Sequence, residues 1–186
     1  NLSPYKTPYR TQYLSDKIKD TSDIKKKNKD GYTAFILAAR NNTNVEVIQY
    51  LYNTFKDTID INKQNKDGDT AFTLAACDNT NIEVIQYLYN TFKDTIDINK
   101  QNYDGNAAFW LAVQNNTNVE VIQYLYNTFG DEIDINKKKL KGNAFMLAAW
   151  KNTNVEVIQY LYNTFGDEID INKQNNDGNT AFMLAA

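Results

Sequence analysis

KDGDTAFTLAACDNTNIEVIQYLYNTFKDTIDINKQN, residues 66–102, is one of four copies of a single phrase. Residues 45–65 match residues 82–102 at every position but one, Val45 against Ile82. Gly31, Gly68, Gly105, Gly142 and Gly178 recur at spacings of 37, 37, 37 and 36, each opening a stretch of the type D-G-x-T-A-F-x-L-A-A. A period in this range marks a supersecondary unit that buries its apolar face against its neighbours. The copies run over 29–65, 66–102, 103–139 and 140–175, and 176–186 begins a fifth. The fourth lacks one residue after Gly142, reading GNAFMLAA against GNTAFMLAA in the fifth, which predicts a shortened helix start. Upstream, QYLSDKIKDTSDIKKKNKDG (12–31) aligns with QYLYNTFKDTIDINKQNKDG (49–68) without a gap. Residues 12–28 therefore read as a degenerate half-repeat acting as an N-terminal cap, and 1–11 as an extension.

Within each copy two helical patterns follow one another. Ala34, Leu37 and Ala38 stand at i, i+3 and i+4, and small side chains there let another helix approach closely. Asn42, Thr43 and Asn44 interrupt this pattern. Thr43 with Glu46 predicts a capping box that starts a second helix reaching about Phe55, and Thr80/Glu83, Thr117/Glu120 and Thr153/Glu156 repeat it. Val47, Ile48, Leu51, Tyr52 and Phe55 give that second helix a wide apolar stripe. Gly130 and Gly166 behind two of the copies suit a left-handed C-cap. The following KDTIDIN or GDEIDIN alternates Ile with Asp and Asn and leads to a Lys/Asn/Asp-Gly turn, the pattern of a projecting, hairpin-like finger.

Helix, short loop, helix, then an extended D-I-N segment running into D-G-x-T resembles the ankyrin repeat, over residues 12–186. Thr33, Thr70 and Thr180 take the Thr of the family's T-P-L-H phrase, Leu37-Ala38-Ala39 its L-A-A, Val45-Glu46-Val47-Ile48 its second helix, and Asp60-Ile61-Asn62 its D-V-N. The copies depart from it in length, 37 residues against about 33, in Ala34 for Pro, and in Ile36, Thr73, Trp110, Met146 and Met183 at the His position. The resemblance implies an all-α helix-turn-helix solenoid with projecting fingers.

Composition removes whole classes of chemistry. With no His among 186 residues there is no Ser-His-Asp or Cys-His nucleophile and no imidazole metal ligand, and the single Cys77 cannot build a thiolate zinc site. Carboxylates recur in every outer loop but form no calcium-binding loop, so they read as solvating. The expectation is a non-catalytic chain with no cofactor and no metal. A lone cysteine fits an intracellular, cytoplasmic setting, with delivery into a host cell left open. No apolar run approaches the roughly 18 residues of a membrane span. Since residue 1 is Asn and residue 186 falls inside a fifth copy, the chain reads as a segment of a longer protein, with further repeats or a stacked partner expected over Phe182 and Leu184.

Positions that differ between copies mark the candidate site, because packing between copies accounts for those that do not differ. They are the residue after each Gly, the residue two before it, and the end of each first helix. In the ankyrin family these surfaces line a concave groove, so the resemblance implies protein binding by Tyr32, Arg40, Tyr103, Asn106, Trp110, Gln114, Leu140, Trp150 and Lys151. Tyr103, Leu140 and Trp150 are its apolar anchors, Trp and Tyr being the commonest interface hot spots. Of these, Trp110 has Ile36 and Met146 at its equivalent positions, which also suits packing. The tyrosine pairs beginning with Tyr50 and Tyr52 sit at helical spacing and read as packing between copies. Lys25 to Lys29 and Lys137 to Lys141 are basic runs on fingers; residues 1–31 hold 8 basic and 4 acidic side chains and the remainder 12 and 19. No continuous basic stripe follows, so the runs read as solvated tips and a nucleic-acid partner is not expected. Three readings stand: a module binding a protein partner through groove and fingers, a scaffold that self-associates end to end through its C-terminal face, and a targeting array for an enzyme or effector domain elsewhere.

Overall fold

The computed structural model describes residues 22–133, 135 and 142–186. A short helix α1 (Ser22–Lys25) precedes four helix pairs: α2 (Ala34–Asn41) with α3 (Val45–Phe55), α4 (Ala71–Asp78) with α5 (Ile82–Phe92), α6 (Ala108–Asn115) with α7 (Val119–Phe129), and α8 (Ala144–Lys151) with α9 (Val155–Phe165). One turn, α10 (Ala181–Leu184), opens the next pair. The first helices form an inner layer, each packed on the next, and the second helices an outer layer, with the closer packing in the inner one. No strand forms among the described residues. Most of the degenerate half-repeat lies outside them.

Alanine decides the inner layer. Ala71, Leu74 and Ala75 are buried on the side of the preceding copy, and their counterparts Ala34 and Leu37 in the first copy are exposed. Phe35, Ile36 and Ala39 are buried on the side of the following copy, whereas Phe182 and Met183 in the last turn are 66% and 60% exposed. Each inner helix thus has one small-residue face and one bulky face, and the two interlock between copies. In the outer layer, tyrosine of one copy meets phenylalanine of the next edge-on: Tyr52 on Phe92 at 4.8 Å, Tyr89 on Phe129 at 4.9 Å, Tyr126 on Phe165 at 4.6 Å between ring centroids. Tyr162, at the end of the series, is 54% exposed.

The turn between the paired helices is built from asparagine. Asn79 is 1% exposed; its Nδ2 donates to the carbonyls of Ala39 and Asn42 in the preceding copy, each at 2.9 Å, and its Oδ1 accepts from Asn81 N–H at 3.0 Å. Asn116 repeats this on Ala76 and Asn79, and Asn152 on Val113 and Asn116, all at 2.9 Å. A second row runs beside it: Asn81, Asn118 and Asn154 donate from Nδ2 to the carbonyls of Thr43, Thr80 and Thr117 at 2.7, 2.8 and 2.7 Å. The same asparagines cap the outer helices, Asn44, Asn81, Asn118 and Asn154 accepting from Glu46, Glu83, Glu120 and Glu156 N–H at 3.0 Å.

Three expectations are corrected here. The outer-helix caps are these asparagines, not Thr43 and its equivalents, because the asparagine two residues before each cap fixes the turn by accepting the cap's own N–H. Helix α8 has 8 residues like α2, α4 and α6; the missing residue is absorbed in the loop, where Asn143 replaces threonine as cap and accepts from Met146 N–H at 3.0 Å. Gly130 and Gly166 have φ of −54° and −55°, so they prolong the right-handed turn instead of closing it left-handed.

Candidate functional site

Each finger begins at an asparagine that folds the chain around its own side chain. Asn65 Oδ1 accepts from Asp67 and Asp69 N–H at 2.9 and 2.8 Å, while Asn65 N–H donates to the Asp69 carbonyl at 2.9 Å. Asn28, Asn102 and Asn175 build the same closed loop. The fingers are therefore five-residue loops, not two-stranded hairpins. Gly68, at φ +85°, turns the tip; a Cβ there would lie 2.8 Å from Tyr103 N.

That close approach exists because neighbouring fingers are hydrogen-bonded through their backbones. Lys66 N–H donates to the Asp30 carbonyl at 3.0 Å and Tyr103 N–H to the Asp67 carbonyl at 2.9 Å. Lys27 Nζ reaches the Gln64 carbonyl at 3.2 Å, and Gln64 Nε2 the Gln101 carbonyl at 3.3 Å. Three consecutive fingers thus form one continuous edge. Tyr103 projects from it, 76% exposed, with Lys29 and Lys66 exposed in the same register.

The other candidates divide sharply. Trp110 and Gln114 are 5% and 7% exposed, inside the stack, so neither presents its side chain to a partner. Their row explains this: Ile36, Thr73, Trp110 and Met146 are all buried, at 1%, 1%, 5% and 2%. Differences along such a row are adjustments of volume within a packed layer. Tyr32 and Arg40 are half-buried and engaged: Arg40 Nε donates to Asp78 Oδ2 at 2.5 Å and Nη1 to Tyr32 Oη at 3.2 Å, joining the first two copies. Asn106 is half-buried and closes its own finger, its N–H donating to Asn102 Oδ1 at 2.9 Å. Trp150 is half-buried at the end of α8, with Lys151 Nζ 4.8 Å from its ring centroid. Leu140 lies outside the described residues.

Sequence reasoning missed Asp69, the residue after Gly68. It is 8% exposed and accepts from Asn102 Nδ2 at 2.9 Å, so this variable position is an acceptor for the finger asparagine of the following copy. Where the first copy has Tyr32 instead, the buried Nδ2 of Asn65 has no partner. Burial raises the Asp69 carboxyl above the usual range, against the hydrogen bond from Asn102. Burial likewise pushes the Cys77 thiol far up, leaving it inert. Tyr87, Tyr124 and Tyr160 are raised by the same cause, each against a side-chain hydrogen bond from Thr91, Thr128 or Thr164 on its own helix.

Among the described residues no group of three or more His, Cys, Asp or Glu could hold a metal ion, and no helix is long and apolar enough to cross a membrane. The family model for ankyrin repeats (3 copies) matches the chain over residues 11–102, 53–139 and 109–186. No curated protein matches it.

Proposed function

The chain belongs to the ankyrin-repeat family, and from that premise we propose that it binds a protein partner along its finger edge and the exposed ends of its inner helices. Ankyrin repeats are in general protein-protein interaction modules. One observation carries the finer reading: the copies are locked together by identical asparagine and tyrosine contacts, while Lys29, Lys66 and Tyr103, from a row that varies along the chain, face outward from a backbone-bonded edge. A preorganised loop array of this kind loses little entropy on binding, since its ordering is complete beforehand. Tyr103 and Trp150, with Lys151 over its ring, are the anchors. The array itself is read as non-catalytic.

The test compares proteins retained from a cell lysate by the chain and by its Tyr103→Ala/Trp150→Ala variant, quantified by mass spectrometry. Loss of a retained protein from the variant is expected, as truncating an aromatic anchor costs about 2 kcal/mol or more; identical retained sets would refute the reading.

A second reading has its own observation. Phe182, Met183 and Tyr162 are exposed at the C-terminal face, where their counterparts Phe145 and Met146 are buried by the next copy. Such a face supports self-association, and concentration-independent monomer mass in light scattering would remove that reading.

A further inference from the structure

Asparagine also joins the outer loops of neighbouring copies. The Asn62 carboxamide spans the boundary between the first and second copies, its Nδ2 donating to the Thr95 carbonyl at 2.6 Å while its Oδ1 accepts from Asp97 N–H at 3.0 Å. The first copy carries the same receiving loop: residues 56–60 and 93–97 both read KDTID, so Thr58 and Asp60 stand where Thr95 and Asp97 stand. One period before Asn62, however, comes Lys25, whose ammonium donates but cannot accept. The Thr58 hydroxyl and Asp60 Oδ1 serve their own loop, on the Phe55 carbonyl at 2.8 Å and Asn62 N–H at 3.0 Å. Among the described residues the Thr58 carbonyl and Asp60 N–H have no hydrogen-bond partner. A cavity of about 150 Å³ opens at this place, between α1 and the loop. Ile24 and Phe35, both buried, and the half-buried Ile59 give it apolar walls, and the exposed Lys25, Asp60 and Lys63 its rim.

Resting on the reading that the chain binds protein, but on none of the finger-edge anchors, we infer that this cavity is a second contact site and takes a primary carboxamide, the end of a partner's glutamine or asparagine side chain. A carboxamide holds an N–H donor and an oxygen acceptor side by side on one carbon, the pairing that Asn62 supplies to the identical loop one copy along. A carboxylate brings no donor to the Thr58 carbonyl, and an ammonium brings no acceptor to Asp60 N–H. A trans peptide group points its N–H and C=O in opposite directions and cannot reach both. The rim mixes two lysines with one aspartate, so a charged ligand of either sign meets an opposing neighbour and a neutral amide meets none. The apolar walls have room for the methylenes that carry the amide.

Two-dimensional amide NMR spectra of the chain, titrated with N-acetylated and methylamide-capped glutamine, asparagine, glutamate and leucine, test this. All four probes carry the same backbone groups, so differences between them belong to the side chain. Glutamine or asparagine is expected to shift the Asp60 amide saturably and about tenfold or more tighter than glutamate or leucine. Lys25→Asn places the chain's own carboxamide at the ladder position and should abolish the shift; circular dichroism checks that the variant is folded. Glutamate or leucine binding as tightly as glutamine and asparagine, an undiminished shift in Lys25→Asn, or no shift from any probe overturns the inference. Tyr103→Ala/Trp150→Ala should leave the shift intact, because neither residue lines the cavity. The two failures are therefore distinct: a lysate protein lost from that variant upholds the finger edge even where the cavity takes no probe, and its absence leaves the NMR result unchanged.

Discussion

Asp69 is 8% exposed, and the Asn102 amide that holds it does not outweigh its desolvation, so its carboxyl titrates above the usual range. The native state therefore binds a proton more readily than the unfolded chain. Stability from this group is present below its unfolded pKa and is lost as pH rises through the native one, the reverse of a salt-bridged aspartate. Asp69→Asn keeps the acceptor oxygen and removes the charge, and copies three and five already carry Asn106 and Asn179 there. The variant should have a higher urea midpoint than the wild type at pH about 8, and the gain should shrink toward pH about 4. A gain that stays constant or grows on acidification would show that the native carboxyl is not raised. Asp69 also shows what comparison of copies could not reveal. Variability marked Tyr32, Asp69, Trp110 and Gln114 alike, yet two of the four, Trp110 and Gln114, are buried for packing and Asp69 for a hydrogen bond. Tyr103 combines difference with exposure, and no feature of the one-dimensional pattern separates it from Trp110.

At the level of the turn, N-T-N occurs at 42–44, 79–81, 116–118 and 152–154, and its two asparagines do different work. From the second copy on, the first is buried or half-buried and donates twice across the copy boundary, and the second caps the outer helix and donates once. Asn116→Ala leaves two carbonyls and one N–H without their partner inside the stack, and should cost about 2–4 kcal/mol, each unsatisfied buried group being worth about 1–3 kcal/mol. Asn118→Ala, at a more accessible cap, should cost about 1 kcal/mol. Urea denaturation of the two variants side by side checks this, and equal costs would mean that the inner row is no ladder. Helix pairs, their order and the finger positions were legible because apolar spacing and a fixed period report burial directly. The ladder was not, although its signal stood in every copy. Asparagine is so abundant, 27 residues, that its invariance here looked like composition. The Thr-x-x-Glu pattern beside it named the wrong cap, since a local motif says nothing of a carbonyl 37 or 40 residues away.

For the whole molecule, stability is approximately a sum over copies and the interfaces between them. Every interior interface among the described residues uses one set of contacts: an asparagine pair on three carbonyls, a tyrosine on a phenylalanine, and alanine against a bulky face. The register of the ladder places its next rung on the carbonyls of Ala149 and Asn152, beside the exposed Tyr162, Phe182 and Met183. Completing this face with an appended copy of residues 77–102 after Ala186 would bring asparagine and phenylalanine to those positions. Full burial of a Phe or Met side chain contributes about 1.5–3 kcal/mol, so the extended chain should gain several kcal/mol in urea unfolding. An appended copy carrying Asn→Ala at the first asparagine of its N-T-N turn should gain about 1–3 kcal/mol less. The difference between the two appended chains isolates the ladder, because both bury the same apolar surface. If both extended chains gain equally, the asparagine rows follow the packing instead of stabilising it, and aromatic contacts alone set the strength of each interface.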